Sequence, residues 1–343
     1  MPLRTTTILP LGHSHQQSAI SNQPKPSFRR IADCWLLTAG CLLVLFPLSA
    51  SAEFDLSQSV IPIEQIVDGG PPKDGIPAIL VPRFGPAAKG TTLPADELVV
   101  GVEEGHEAKA YPLRILNWHE VVNDFVGGRP IAVTWCPLTH TAIAVDRRVG
   151  GQTFTFGVSG KLWNSHLLMY DHQTESLWSP MALSAVAGPQ HGQALIQLPA
   201  RLTTWDRWHT AHPTTVVLSP TDQTARDYAK DPYTRYQSQR GLWFPVEPTS
   251  NRLPAKTLVF GLVVNGVAAA YPLAMLEAGA PMHDMVGDTA VTIQADTPQT
   301  ARATDAEGRL LPGIVAYWFA WYAFHPETAV HAPAVQPTPE VVP

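Results

Sequence analysis

From Leu98 onward the apolar positions fall into short, β-branched runs cut by turn formers: Leu98 to Val102, Ile131 to Trp135, Ala142 to Asp146 and Thr153 to Phe156. Runs of this length and composition predict strands, and Gly150-Gly151 between the last two predicts a hairpin. Helical spacing is confined to a few places. Tyr111-Pro112-Leu113 is suited to open a short helix, with Pro in the first turn where its missing N–H does no harm. Thr203 and Thr204 stand where they can cap a second, Trp205 to Thr210, whose Trp pair at i and i+3 shares one face; His212-Pro213 ends it. Residues 53–95 are rich in Pro and Gly and read as an extended arm, 220–254 as a linker, and Pro333 to Pro343 as a disordered tail.

The apolar pattern also repeats. Gly101-Val102, Ala110-Tyr111-Pro112-Leu113, Asp124 and Val126-Gly127 recur 160 residues later as Gly261-Leu262, Ala270-Tyr271-Pro272-Leu273, Asp284 and Val286-Gly287. Further on, Trp205, Trp208, His212-Pro213 and Thr215 recur at an offset of 113 as Trp318, Trp321, His325-Pro326 and Thr328. The drop from 160 to 113 means that the second unit lacks 47 residues, and the gap falls at about 157–203. The expected fold is therefore mainly β with short helices (α+β), with two degenerate internal repeats forming one pseudo-symmetric domain. Repeat one covers about 96–219 and repeat two about 255–331.

Composition narrows the setting. The 343 residues are 45% hydrophobic and 15% charged, enough to bury a sizeable core in one large or two smaller domains. Arg29 and Arg30, an apolar run from Cys34 to Leu48 and Ala50-Ser51-Ala52 match a secretory signal over residues 1–52 cleaved after Ala52, hence a periplasmic or secreted protein. The alternative is an uncleaved N-terminal membrane anchor, which would be the chain's only membrane contact; Asp33 and Pro47 interrupt it. Losing Arg4, Lys25, Arg29, Arg30 and Asp33 with that segment leaves a net charge of about −9 and no basic stripe, which argues against a nucleic-acid partner. Cys34 and Cys41 leave as well, making Cys136 the single thiol and an internal disulfide impossible.

Chemistry-bearing residues concentrate between Phe156 and Trp178, inside the block that the second repeat lacks. Ser159, Asn164, Ser165, Asp171, Thr174 and Trp178 lie there among apolar positions. Gly157-Val158-Ser159-Gly160 is not a nucleophile elbow, because Lys161 stands where a Gly is required. Asp171 and Glu175 can form a carboxylate pair, but Asp171-His172-Gln173-Thr174 fits an Asx-type turn better. Outside the block, Cys136 ends a strand, where it is either a nucleophile or soft-metal ligand or a buried, inert thiol. His119 can serve it as base or fellow ligand, and His140 adds a Cys-x3-His spacing, short of the three or four ligands a zinc site needs.

Tyr-Pro-Leu-Arg-Ile-Leu-Asn-Trp-His-Glu, Trp-Cys-Pro-Leu, Phe-Gly-Val-Ser-Gly-Lys-Leu-Trp-Asn-Ser, Met-Tyr-Asp, Thr-Glu-Ser-Leu-Trp and Trp-Asp-Arg-Trp-His-Thr-Ala-His-Pro together resemble the bacterial domain-of-unknown-function family numbered 3179, over about residues 96–331. The resemblance implies an exported or membrane-associated protein without implying a reaction. It emphasises His119, Glu120, Asn123, Asp124, Cys136, Pro137, Ser159, Gly160, Asn164, Ser165, Asp171, Thr174 and Trp178. The chain departs from it at Thr139-His140, and Thr139 cannot resolve a disulfide with Cys136.

These readings converge on a polar pocket centred on Cys136, with His119, Ser159, Asn164 and Asp171 as the reactive set and Glu120, Asn123, Ser165, Thr174 and Trp178 as ligand contacts. Its expected occupant is an unknown small molecule or a soft metal ion, copper or zinc, held by Cys136, His119 and His140. The enzyme alternative is thiol-dependent acyl transfer or hydrolysis, with Cys136 as nucleophile, His119 as base and Asn164 or Ser159 stabilising the oxyanion. A third reading is a non-catalytic module that binds an envelope component, supported by the Pro-rich arm and tail.

Overall fold

A computed structural model of the chain describes residues 54–87, 93–220 and 226–331. The expected signal segment, with Cys34 and Cys41, and the expected tail lie outside the described residues. The fold is mainly β, with five sheets of four or five strands arranged as a five-blade β-propeller. This corrects the expected pseudo-symmetric pair of α+β units.

The repeated segments build two sheets each. In repeat one, Leu98–Glu104 and Glu107–Pro112 pair with Arg201–Thr204, Val216–Leu218 and Phe84–Pro86 in the first sheet. Val121–Val126, Arg129–Cys136, Thr141–Asp146 and Gln197–Leu198 form the second. Repeat two forms the fourth sheet from Leu258–Val264, Val267–Pro272, Ile314–Tyr317 and Ala329–Val330. Its fifth holds Pro281–Val286, Thr289–Thr297, Thr300–Asp305 and Leu310–Leu311. The block missing from repeat two is a sheet of its own, the third: Phe156–Trp163, His166–Asp171, Leu177–Ser179 and Ser184–Ala187, joined at one edge by Val67–Asp68. A lone sheet has no internal copy to align with, so self-comparison registers it as a gap.

The strands run where the β-branched runs lie, extended by one to two residues at their ends, except that Thr153 and Phe156 belong to different elements. Gly150 and Gly151 sit at φ of +58° and +82° in the tight turn between Arg148–Val149 and Gln152–Thr153, a conformation that residues with a Cβ adopt at a cost. The helices Leu113–His119 and Trp205–Ala211 follow their respective start signals, although Thr204 makes no side-chain capping bond. Stretch 226–254, read from sequence as a linker, carries the short helix Thr234–Ser238 and buries Tyr236 and Val246.

One packing device recurs in both repeats. Gly101 lies under the Trp208 ring and Gly261 under Trp321, so close that a Cβ on either glycine would come within 2.2 Å of the indole. Each indole N–H donates to a threonine hydroxyl at 2.9 Å, Thr215 in one case and Thr328 in the other. The repeat in the sequence therefore preserves a ring, a gap that fits it and the acceptor that satisfies its N–H. One apolar core draws Val100, Val122, Val133, Phe260, Leu262, Val291 and Ile293 from the first, second, fourth and fifth sheets. A second core adds the third sheet through Phe156, Val158, Leu167, Met169 and Trp178, and contains Cys136.

Candidate functional site

The third sheet begins with a distortion. Pairing between Phe156–Trp163 and His166–Asp171 slips between Val158 and Leu162, leaving Ser159, Gly160 and Lys161 outside the regular ladder. The Ser159 hydroxyl donates to the Leu168 carbonyl and accepts from the Lys161 N–H at 3.0 Å, replacing ladder bonds. Gly160, at φ +76°, leaves room for the arm: a Cβ there would meet the Pro71 carbonyl oxygen at 2.2 Å. Asn164 and Ser165 make the two-residue turn that follows, both at positive φ. Asn164 Oδ1 accepts the Glu247 N–H at 2.9 Å and the Ser165 hydroxyl donates to the Phe244 carbonyl at 2.9 Å. Ser159, Asn164 and Ser165 thus spend their polar atoms on seating chain segments.

Asp171, Thr174 and Trp178 form a closed set. The fully buried Asp171 carboxylate accepts the Gln173 and Thr174 N–H groups, the Thr174 hydroxyl and, at 2.8 Å, the Trp178 indole N–H. This is the Asx-type turn, extended by an indole donor from the neighbouring strand. Glu175 points elsewhere and pairs with Lys73 of the arm. Asn123 is equally committed, exchanging two hydrogen bonds with the Phe156 backbone at 2.7 and 2.8 Å and so tying the second sheet to the third.

Among the predicted residues, Glu120 borders open space, and its charge acts on the buried Cys136. A cavity of about 280 Å³ is lined by Glu120, Tyr233 and Lys161, with Leu138, Val158 and Leu167 among its apolar walls and Trp243 and Phe244 from the 226–254 stretch. Glu120 caps the helix Leu113–His119 at φ +56° and ψ −32°, where a non-glycine residue is under strain. Its carboxyl accepts a 2.7 Å hydrogen bond from the Tyr233 hydroxyl. Burial pushes that carboxyl up to about 7, against the opposing pull of the Tyr233 bond. Cys136 does not line the cavity: it is 2% exposed, in the apolar core that also holds Leu138, Val158 and Leu167, with its sulfur 4.0 Å from the Ser165 carbonyl oxygen. Burial first, and the Glu120 charge second, push its thiol up to about 11.

A thiol in that state is a poor nucleophile, because the reactive species is the thiolate. Iodoacetamide at pH 8 is expected to leave Cys136 of the native protein unmodified and to alkylate it fully in denaturant, read by mass spectrometry of the peptide that contains it. Rapid native labelling would restore the thiol-catalysis reading.

The two histidines are placed elsewhere. His119 Nδ1 is 2.8 Å from the Pro77 carbonyl oxygen, which can only accept, so Nδ1 carries a proton and donates it there; Nε2 lies 2.8 Å from the Tyr228 hydroxyl. His140 stands at φ +58° between Trp135 and Tyr317 on the wall of a second, more polar cavity of about 660 Å³, which Arg114, Asn117 and Gln237 also line. Burial pushes its imidazole down to about 4, so it is neutral at physiological pH. Among the described residues no three His, Cys, Asp or Glu side chains converge as a metal site. The predicted set thus separates into turn and bridge residues, two histidines in other surroundings, and Glu120 with the buried Cys136.

Sequence reasoning missed Tyr233, Trp243 and Phe244. The signal was present, since Tyr228, Tyr233, Tyr236, Trp243 and Phe244 give 220–254 an aromatic density that a solvated linker does not need. Among the described residues no helix is long and apolar enough to cross a membrane.

No curated protein and no solved structure matches the chain. A family profile does, that of the protein of unknown function DUF3179, over residues 73–328. That span includes the principal strands of all five sheets and most of the lining of the Glu120 cavity, and on it the chain belongs to the DUF3179 family.

Proposed function

We propose that the protein binds a small, mostly apolar molecule carrying a single amine, in the cavity closed by Glu120 and Tyr233. The observation that carries this reading is a carboxyl buried in a mostly apolar cavity, on a strained backbone, with a described side-chain hydrogen bond from Tyr233 alone, while the Lys161 ammonium on the same cavity is paired with Asp68 at 2.6 Å. Burying an ionisable group in such surroundings disfavours folding, and a cationic ligand is what makes the arrangement favourable. The aromatic and branched walls supply the apolar contact, and a volume of about 280 Å³ limits the ligand to a small molecule. The N-terminal pattern of Arg29 to Ala52 supports export, so the ligand is sought outside the cytoplasm.

Benzylamine and benzyl alcohol, nearly equal in shape, separate the amine reading from simple apolar filling. Calorimetry at pH 8 is expected to give saturable benzylamine binding and weaker binding of the alcohol. Because the amine needs the carboxylate, its affinity should fall about tenfold per pH unit below 7. Glu120→Gln should abolish the preference for the amine. No benzylamine binding, or equal binding to the variant, would overturn the proposal.

A further inference from the structure

A second cluster lies away from this cavity and does not rest on it. Asp296, in strand Thr289–Thr297, has a side chain only 2% exposed and faces three arginines from three elements. Arg201, on the strand Arg201–Thr204, reaches it at 3.0 Å; Arg302, on Thr300–Asp305, at 2.6 Å; Arg207, on the helix Trp205–Ala211, at 3.9 Å. One buried carboxylate balances one guanidinium and leaves two positive charges over. Asp206, exposed at the rim, offsets them through water and therefore weakly.

The excess charge faces open space. Arg201, Arg207, Arg302, Asp206, Thr210 and Ala211 line a cleft of about 710 Å³. Among the described residues the buried Arg201 Nε finds no hydrogen-bond partner, a donor lacking its acceptor. Burial pushes the Arg201 guanidinium below its ordinary value; Asp296 opposes this, while Arg302 and Arg207 add to it. Arg207 and Arg302 have side chains 47% and 30% exposed, which leaves N–H groups for a ligand. Planar guanidinium forks match the oxygens of a tetrahedral oxyanion. The chain as a whole carries a formal charge of −6, so this local excess runs against its background.

The geometry points to an anion-binding cleft at Arg201, Arg207 and Arg302, with Asp296 as the fixed counter-charge that orients the guanidiniums and a phosphoryl-type oxyanion as ligand. Free phosphate and the phosphoryl group of a small organic ester share that chemistry, so both are tested. Inorganic phosphate and glycerol 3-phosphate are titrated by calorimetry into the full-length protein at low ionic strength. Saturable binding of either supports the proposal, and the tighter of the two identifies the source. Arg207→Gln leaves Asp296 its two nearer partners, so the protein should remain folded while affinity falls about tenfold, the loss of one charge-assisted contact. Asp206→Asn should raise affinity about twofold to threefold by removing the opposing rim charge. No saturable binding of either probe, or affinities unchanged in both variants, would overturn it.

Discussion

Asp171→Ala is expected to lower the unfolding free energy by about 3–5 kcal/mol, the largest loss among the residues singled out from the sequence. The magnitude follows from what the carboxylate satisfies. It sits wholly buried and accepts two backbone N–H groups, the Thr174 hydroxyl and the Trp178 indole N–H. Truncation leaves the buried Trp178 indole N–H without its acceptor, at a cost of about 1–3 kcal/mol, and removes the charge-assisted bonds of the half-buried turn donors, each worth about 1.5–3 kcal/mol before water replaces part of it. Asp171→Asn keeps an acceptor oxygen but puts an amide donor where donors already point, so it should lose roughly half as much. Denaturant unfolding checks the order Asp171, Asn, Ala. If Asp171→Ala were as stable as the parent, the closed hydrogen-bonded set would not be the role of this aspartate.

Glu120→Gln should move stability the other way, and only above a certain pH. The folded chain holds the Glu120 proton up to about 7, while the unfolded chain gives it up near 4.5. Between those values the folded state binds more protons, so the stability associated with this group is fully present below about 4.5 and is lost as pH rises through about 7. The window corresponds to about 3 kcal/mol. Glutamine keeps an oxygen for the Tyr233 hydroxyl and never ionises, so the variant should match the parent at pH 4 and exceed it by about 3 kcal/mol at pH 8. A substitution that stabilises the fold while removing ligand preference is what a residue kept for binding would show. Equal stability at both pH values would mean that the carboxyl is not destabilised by its surroundings.

The strands could be read because each rests on local information: β-branched runs and glycine turns. The five-sheet architecture could not. Alignment of the chain with itself finds only what is duplicated, and the sheet from Phe156 to Ala187 occurs once. The polar residues of that sheet drew attention for a sound reason, since buried Ser159, Asn164 and Asp171 do need partners. Those partners are mostly backbone groups, at Leu168, Lys161, Glu247, Gln173 and Thr174; the turn at Asp171 was legible in its Asp-x-x-Thr spacing, whereas the Leu168 and Glu247 groups meet Ser159 and Asn164 only in the fold.

Glu120 shows the opposite difficulty. The family resemblance marked it, but nothing local marks it as the wall of a cavity, because Val158 and Leu167 of the third sheet, Leu138 after the second and Tyr233 and Phe244 of the supposed linker meet it only after folding. Cys136 attracted the chemistry because, of the three cysteines, it is the one that lies outside the expected signal segment. Its burial in the core that holds Leu138, Val158 and Leu167 makes it part of the cavity's support.

The central claim, that Glu120 is a destabilised carboxyl awaiting a cation, is tested most directly by carbon-13 NMR of its side-chain carboxyl. The resonance is assigned by its absence in Glu120→Gln and followed between about pH 4 and pH 9 with and without benzylamine. A midpoint near 7 is expected in the free protein, moving down when benzylamine binds. A midpoint in the ordinary carboxylate range, or one that benzylamine leaves in place, would contradict it.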